Sequence, residues 1–311
     1  MQNNQSKLFF VYKRTNHFTN HNGFTILELL IALVISSVLA VGVGSVYYGI
    51  RSTQNSQNSV SEIRDNLFIA LDRIESVIKQ ANFTEYSEQK YNPNETFMQL
   101  TSPILTQLPG DSTNHTSNAT ATNGSDTFTL DVSSPDNSSE MVDCTGAAMP
   151  ASTYNLKKSV YQKFTVSGDN LMCSTNVRTR DLSAGTDSYS GFSAPIRIAA
   201  GVRNMQVFYA VKDEEQGCGV SNSSNAWKTA SEIADFSKVC AMNISLLAIS
   251  QTGQIVNVAQ ETTSQKTFNL ALNNTINDNV AKNITMSISS SLLKNTRVVR
   301  KIVFLRNNDK Y

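Results

Sequence analysis

Charge and histidine are both scarce in this chain. Of its 311 residues, 16% are charged, against about 25% in an average soluble domain. Asn, Ser and Thr take the place of the missing charge. Lysine and arginine number 26, aspartate and glutamate 25, and the formal net charge is +1. The global field therefore points to neither nucleic acid nor an acidic partner. The three histidines are His17, His21 and His115. Two lie upstream of Gly23 and the third sits in a polar stretch, which disfavours His-based nucleophilic catalysis and His-rich metal sites. A phosphate-binding glycine loop, a nucleophile elbow and metal-ligand spacing are all missing. We therefore expect no catalytic residue, no metal and no cofactor, and no enzyme.

Cysteine is sparse as well: Cys144, Cys173, Cys218 and Cys240 are the four. None forms a C-x-x-C pair, and all lie beyond the apolar segment described next. An even count in an exported domain predicts two disulfides with three possible connectivities. The alternative is four small buried hydrophobes in a reduced protein.

What the chain does have is one long uncharged run near its start. Residues 1–23 are polar and carry Lys7, Lys13 and Arg14 without an acid. From Leu29 through Ile50 no residue is charged. As a helix that stretch rises about 33 Å, enough for a hydrocarbon core of about 30 Å. The basic leader places the N-terminus in the cytoplasm and the rest outside. An ordinary secretory signal has a shorter apolar core followed by a small-residue cut. Val38-Leu39-Ala40 offers such a cut, but the run continues past it and Glu28 falls inside the core. A plain anchor explains the length and gives no reason for Glu28. An acid in an apolar helix costs about 2.5–3.5 kcal/mol for Asp at the centre, less near the interface, and marks function by default.

Gly23-Phe24-Thr25-Ile26-Leu27-Glu28-Leu29-Leu30-Ile31 resembles the type IV prepilin motif. That resemblance implies cleavage after Gly23 by a prepilin peptidase and N-methylation of Phe24. It also implies that Glu28, fifth from Phe24, pairs with the N-terminal ammonium of a neighbouring subunit. Two charges in an apolar bundle are tolerable when paired. Gly42, Gly44 and Gly49 lie in the same segment, each costing a helix about 1 kcal/mol relative to Ala. Two readings stand: close helix packing in lipid, or a stretch that extends when the helix enters a filament.

Val60, Ile63, Leu67, Leu71, Ile74 and Ile78 repeat at spacings of three and four, with Phe68, Ala70 and Val77 widening the stripe. This predicts an amphipathic helix over 51–82, continuing the membrane segment through the polar stretch 51–59. Residues 83–150 are rich in Ser, Thr, Asn and Asp. Asn114-His115-Thr116, Asn118-Ala119-Thr120 and Asn123-Gly124-Ser125 match the glycosylation triplet, which arises by chance in such a composition. A flexible polar loop around 109–127 is the reading we adopt. Strands are expected at Phe128–Val132, Tyr161–Val166, Met205–Val211, Val239–Ile249, Asn283–Ile288 and Arg297–Leu305. The expected fold is α+β: one long N-terminal helix, membrane-spanning in its first half and amphipathic in its second, packed on an antiparallel sheet. The expected segments are leader 1–23, filament-core helix 24–50, amphipathic helix 51–82 and exported domain 83–311.

Asn66-Leu67-Phe68-Ile69-Ala70-Leu71-Asp72-Arg73-Ile74 resembles the helix of PilW-like minor pilins. Gly201-Val202-Arg203-Asn204-Met205-Gln206-Val207-Phe208-Tyr209, Ala241–Ser250 and Phe304-Leu305-Arg306-Asn307 are similar to their strands. Asp143-Cys144-Thr145-Gly146 and Leu171-Met172-Cys173 resemble their cysteine sites, which implies the bridges Cys144–Cys173 and Cys218–Cys240. The family implies a subunit of a tip complex that primes pilus assembly. The implied partners are the prepilin peptidase, other minor pilins, the major pilin, the inner-membrane assembly platform and membrane lipid. Because some tip-most subunits lack the carboxylate, Glu28 implies a place beneath another subunit. A minor pseudopilin of a type II secretion system shares this physics. An adhesin or DNA-binding subunit is a further class. Lys294, Arg297, Arg300, Lys301, Arg306 and Lys310 against Asp309 offer phosphate contacts, but without interleaved aromatics a solvated strand face is preferred.

Overall fold

The computed structural model describes residues 24–81, 104–105, 116, 124–135, 141–213, 217–218, 227–249, 263–269, 283–289 and 296–305. The leader 1–23, His115, most of the 109–127 loop, and Lys294, Arg306, Asp309 and Lys310 lie outside the described residues. The chain divides into two units, one through Thr53 and one from Gln54.

The described part of the first unit is helix from Ile26 onward. α1 (Ile26–Gln80) starts there and runs without a break through the polar stretch 51–59 into the second unit. From Ile26 to Ile50 its large apolar side chains are exposed. Three hydroxyls in or beside this run are turned back on the helix. Ser37 donates to the Val34 carbonyl at 2.8 Å, Ser45 to Gly42 at 2.8 Å and Thr53 to Gly49 at 3.0 Å. Such back-bonding satisfies these three hydroxyl donors within the helix itself.

In the second unit, α1 buries Ile63, Leu67, Ala70, Leu71, Ile74, Val77 and Ile78. Burial of each large side chain contributes about 1.5–3 kcal/mol. Val60 is half-buried. Phe68 departs from the expected stripe: it is 71% exposed. Its position falls on the far side of the helix from Ile63, Leu67 and Ile74, so adding it to the stripe stretched the apolar face past its edge.

Two five-stranded antiparallel sheets share this core. The first contains β1 (Phe128–Ser133), β2 (Leu156–Ser167), β3 (Asn170–Asp181) and β4 (Thr186–Tyr189) in that order, with β5 (Ile196–Ala200) also on β3. The second contains β6 (Val202–Asp213), β7 (Gly217–Cys218), β8 (Trp227–Lys228), β9 (Val239–Ile249) and β12 (Thr296–Phe304). Its order is β12-β9-β6-β7, with β8 on β6. β10 (Thr263–Asn269) and β11 (Asn283–Ser289) form a separate antiparallel pair. One apolar cluster joins α1 residues such as Ile74 to Phe128, Phe164, Val207 and Ile244. Glu75 of α1 accepts from Lys301 of β12 and, at 2.6 Å, pairs with Lys79 one turn on. These two lysines hold its carboxyl below the usual range.

The polar loop ends earlier than expected. The Thr116 hydroxyl is buried between the Leu105 carbonyl and the Thr129 amide. Asp126 is buried too. Its amide donates to the Met205 carbonyl at 2.9 Å, and its carboxylate accepts from the Val207 amide at 3.0 Å. Residues 124–126 therefore line the edge of β6 and lead directly into β1, tying the two sheets together. Gly201, at the bend into β6, has φ +74, and a Cβ there would lie 2.6 Å from the Ile249 carbonyl oxygen. Its own carbonyl accepts from the Ile249 amide at 2.8 Å. The Gly-Val pair in the strand entry thus has a steric cause.

Candidate functional site

The apolar helix begins at a carboxylate held by its own chain. Thr25 precedes the first turn, and Glu28 lies three residues on. The Thr25 amide donates to Glu28 Oε2 at 3.0 Å, and the Thr25 hydroxyl donates to the same oxygen at 3.2 Å. The Glu28 amide lies 3.3 Å from the Thr25 hydroxyl oxygen. This is the reciprocal Thr-x-x-Glu box, which satisfies orphan amide donors at a helix start. A carboxylate there also interacts favourably with the positive end of the helix dipole. Glu28 Oε2 is thereby engaged, and neither of these bonds uses Oε1. The Thr-x-x-Glu pattern was in the sequence, immediately before the apolar run. Sequence reading assigned Glu28 to a partner and missed its bond to Thr25.

Phe24 is 89% exposed beside this box. Gly23 lies outside the described residues, so the junction is seen from its Phe24 side. Gly42, Gly44 and Gly49 have nothing within 4 Å of an added Cβ. Among the described residues no contact requires these glycines. Among the described residues no group of three or more His, Cys, Asp or Glu side chains is placed to hold a metal.

One cystine pins a turn to the first sheet, and the other joins two strands of the second. Cys144 bonds to Cys173 of β3, and Cys218 of β7 bonds to Cys240 of β9. The first is presented by a small turn. Asp143 Oδ1 accepts from the Thr145 amide, the Thr145 hydroxyl and the Ala147 amide at 2.8, 2.6 and 3.1 Å. Gly146 takes φ +88 to close the turn, and the Cys144 amide donates to Gln162 Oε1 at 2.6 Å. Asp-Cys-Thr-Gly is thus a turn sequence that aims a sulfur at β3. Of the basic C-terminal residues, Arg297, Arg300 and Lys301 are described, and Lys301 is committed to Glu75.

A second carboxylate escaped sequence reading. β1 alternates Phe128, Leu130 and Val132 with Thr129 and Asp131, and the structure buries all five. Asp131 pairs across the ladder with Tyr161, whose ring stacks on Tyr189 at 6.2 Å. Burial pushes the Asp131 carboxyl up to about 7, while the Ser159 hydroxyl and the Arg178 guanidinium pull the other way.

Comparison with known proteins bears on both halves of the chain. A family model described as type IV pilus-assembly protein W matches residues 153–307. A model described as the prokaryotic N-terminal methylation motif matches residues 18–44. The first match covers β2 through β12 and includes Cys173, Cys218 and Cys240; the second covers the Thr25–Glu28 box. No curated protein and no solved structure matches the chain. An apolar helix with its prepilin-type start, carried on into a two-sheet domain that matches the assembly-protein model, places the chain in the type IV prepilin family as a PilW-like minor pilin.

Proposed function

We propose that this minor pilin primes assembly of a type IV pilus as one subunit of a minor-pilin complex at the filament tip. The observation that carries the proposal is the capped carboxylate of Glu28 at the head of an exposed apolar helix. In a membrane the box with Thr25 moderates the cost of a lone acid. Cleavage after Gly23 by the prepilin peptidase would create an ammonium on Phe24, which then becomes the N-methylated residue. Glu28 of this subunit then pairs with the ammonium of a neighbour, since a charge in an apolar bundle is tolerable when paired. The chain begins as a single-pass protein of the inner membrane, N-terminus in the cytoplasm, and moves into the pilus through the assembly platform. The bulk pilin lies below it and another minor pilin above it. Pilin-family domains are structural parts, and this role asks for no chemistry of its own.

Affinity purification of the full-length chain from membranes tests this. The expected result is recovery of other minor pilins, together with a sharp fall in pilus number when this chain is deleted. Recovery of secretion-system pseudopilins instead, or an unchanged number of pili, would replace the proposal.

A further inference from the structure

Arg51 is the lone charge between Glu28 and Glu62. It follows the apolar run directly and is exposed. Among the described residues it has no ion pair. Its Nη1 donates to the Tyr47 hydroxyl oxygen, one turn earlier, at 3.2 Å. Tyr48 stands beside Tyr47, with ring centroids 6.1 Å apart and planes at 72°. The two tyrosines are 57% and 75% exposed. No other aromatic residue lies between Phe24 and Phe68. The aromatic pair and the lone charge of this stretch thus meet at one place, the far end of the uncharged run.

Depth gives that place a meaning. Along the helix Tyr47 lies about 28 Å from Glu28, and Arg51 about 35 Å. A hydrocarbon core of about 30 Å sits within about 40–45 Å that includes the headgroup layers. An insertion that keeps Glu28 at one boundary therefore sets Tyr47 at the other and Arg51 among the headgroups. Tyrosine rings favour that boundary, and arginine keeps its head in the polar layer. The guanidinium carries five N–H donors, and the bond to Tyr47 engages one nitrogen. The Tyr47 oxygen accepts that bond, which leaves its own O–H free to donate. Spaced four apart, the two side chains share a helix face and offer donors to one anion. Residues 29–61 contain no acid to compete for the guanidinium. Arginine binds phosphate through short, paired, charge-assisted hydrogen bonds. We infer that Tyr47 and Arg51 clamp the phosphate of a glycerophospholipid in the outer leaflet, with the Tyr48 ring wedged at the boundary beside it. This rests on the single-pass insertion proposed above. The clamp fixes the depth of α1 and so the level of Glu28 at the opposite boundary.

The test uses the full-length chain, carbon-13 labelled at arginine Cζ, in vesicles of phosphatidylethanolamine and phosphatidylglycerol. Solid-state NMR reads the dipolar contact between guanidinium carbon and lipid phosphorus. The expected result is a contact at about 4 Å that is lost in Arg51→Gln and retained in Arg64→Gln, a change at an exposed arginine farther along α1. Tyr47→Phe should weaken it by about threefold. Contacts unchanged in Arg51→Gln overturn the site, and an undiminished contact in Tyr47→Phe overturns the two-residue clamp. In vesicles of a phosphate-free glycolipid with inorganic phosphate in the buffer, the contact should vanish; persistence would make the ligand a free anion and overturn the lipid assignment. Resistance to carbonate extraction checks insertion separately. An inserted chain without the contact overturns the clamp and leaves the proposed insertion standing. A chain that carbonate extracts fails both.

Discussion

Thr25 and Glu28 show how one sequence feature serves two states. Within a single chain the carboxylate caps its own helix; in a filament it is proposed to meet a neighbour's ammonium. The second use depends on the cut. Gly23→Ala should leave the precursor at its original mass on a gel, with no new N-terminus at Phe24 by N-terminal sequencing; normal maturation would refute the cleavage assignment. Asp131 is the other residue whose protonation matters. Its folded pKa, about 7, lies above the unfolded value of about 3.9. Between those values the folded state holds more protons, so stability falls as pH rises through the window, and the full penalty is present above it. Asp131→Asn should therefore stabilise the protein at pH 8, by about 2 kcal/mol, and the gain should shrink towards pH 4. Thermal unfolding at both pH values checks this; a gain independent of pH would remove the carboxyl as its cause.

Elements differed in how much of them was legible, for reasons that packing explains. β9 was readable end to end because it lies between β12 and β6 with every residue buried, so its sequence is mostly apolar, broken only by Asn243 and Ser245. β12 was readable from its β-branched run, and β6 from the alternation of Met205 to Val211. β3 was noted for its cysteine alone. It is long and central in its sheet, yet rich in Ser, Thr, Asn and Arg, and cross-strand pairing with β2, β4 and β5 holds it rather than alternation. Phe68 was drawn into the helix stripe by its chemistry, although its angle on the helix points the other way. Asp131 is buried although β1 alternates apolar and polar residues, a pattern that marks a wet face where only one side of a sheet is covered. The bend at Gly201 is where sequence and structure meet most tightly. Gly201→Ala would place a Cβ against the Ile249 carbonyl and force a left-handed backbone angle. The expected cost is at least about 2 kcal/mol, read as a lowered thermal midpoint of the full chain in detergent. An unchanged midpoint would mean that the bend relaxes freely.

At the scale of the molecule, α1 contributes residues to both units of the chain. Among the described residues its first turns have no apolar partner, and large side chains are exposed from Ile26 to Ile50. Its later turns are built into a two-sheet core, fastened by Glu75 to β12. The exposed part is stable in lipid or among other helices, and the capped acid at its head gives the second option a charge to satisfy. The most direct measurement is the filament content of a Glu28→Ala variant. Cleavage and membrane insertion should be normal, because neither needs the carboxylate, and the amount of this chain in sheared pili should fall by about tenfold or more once the pairing is lost. Wild-type filament content for the variant would contradict the account and reduce Glu28 to a local helix cap.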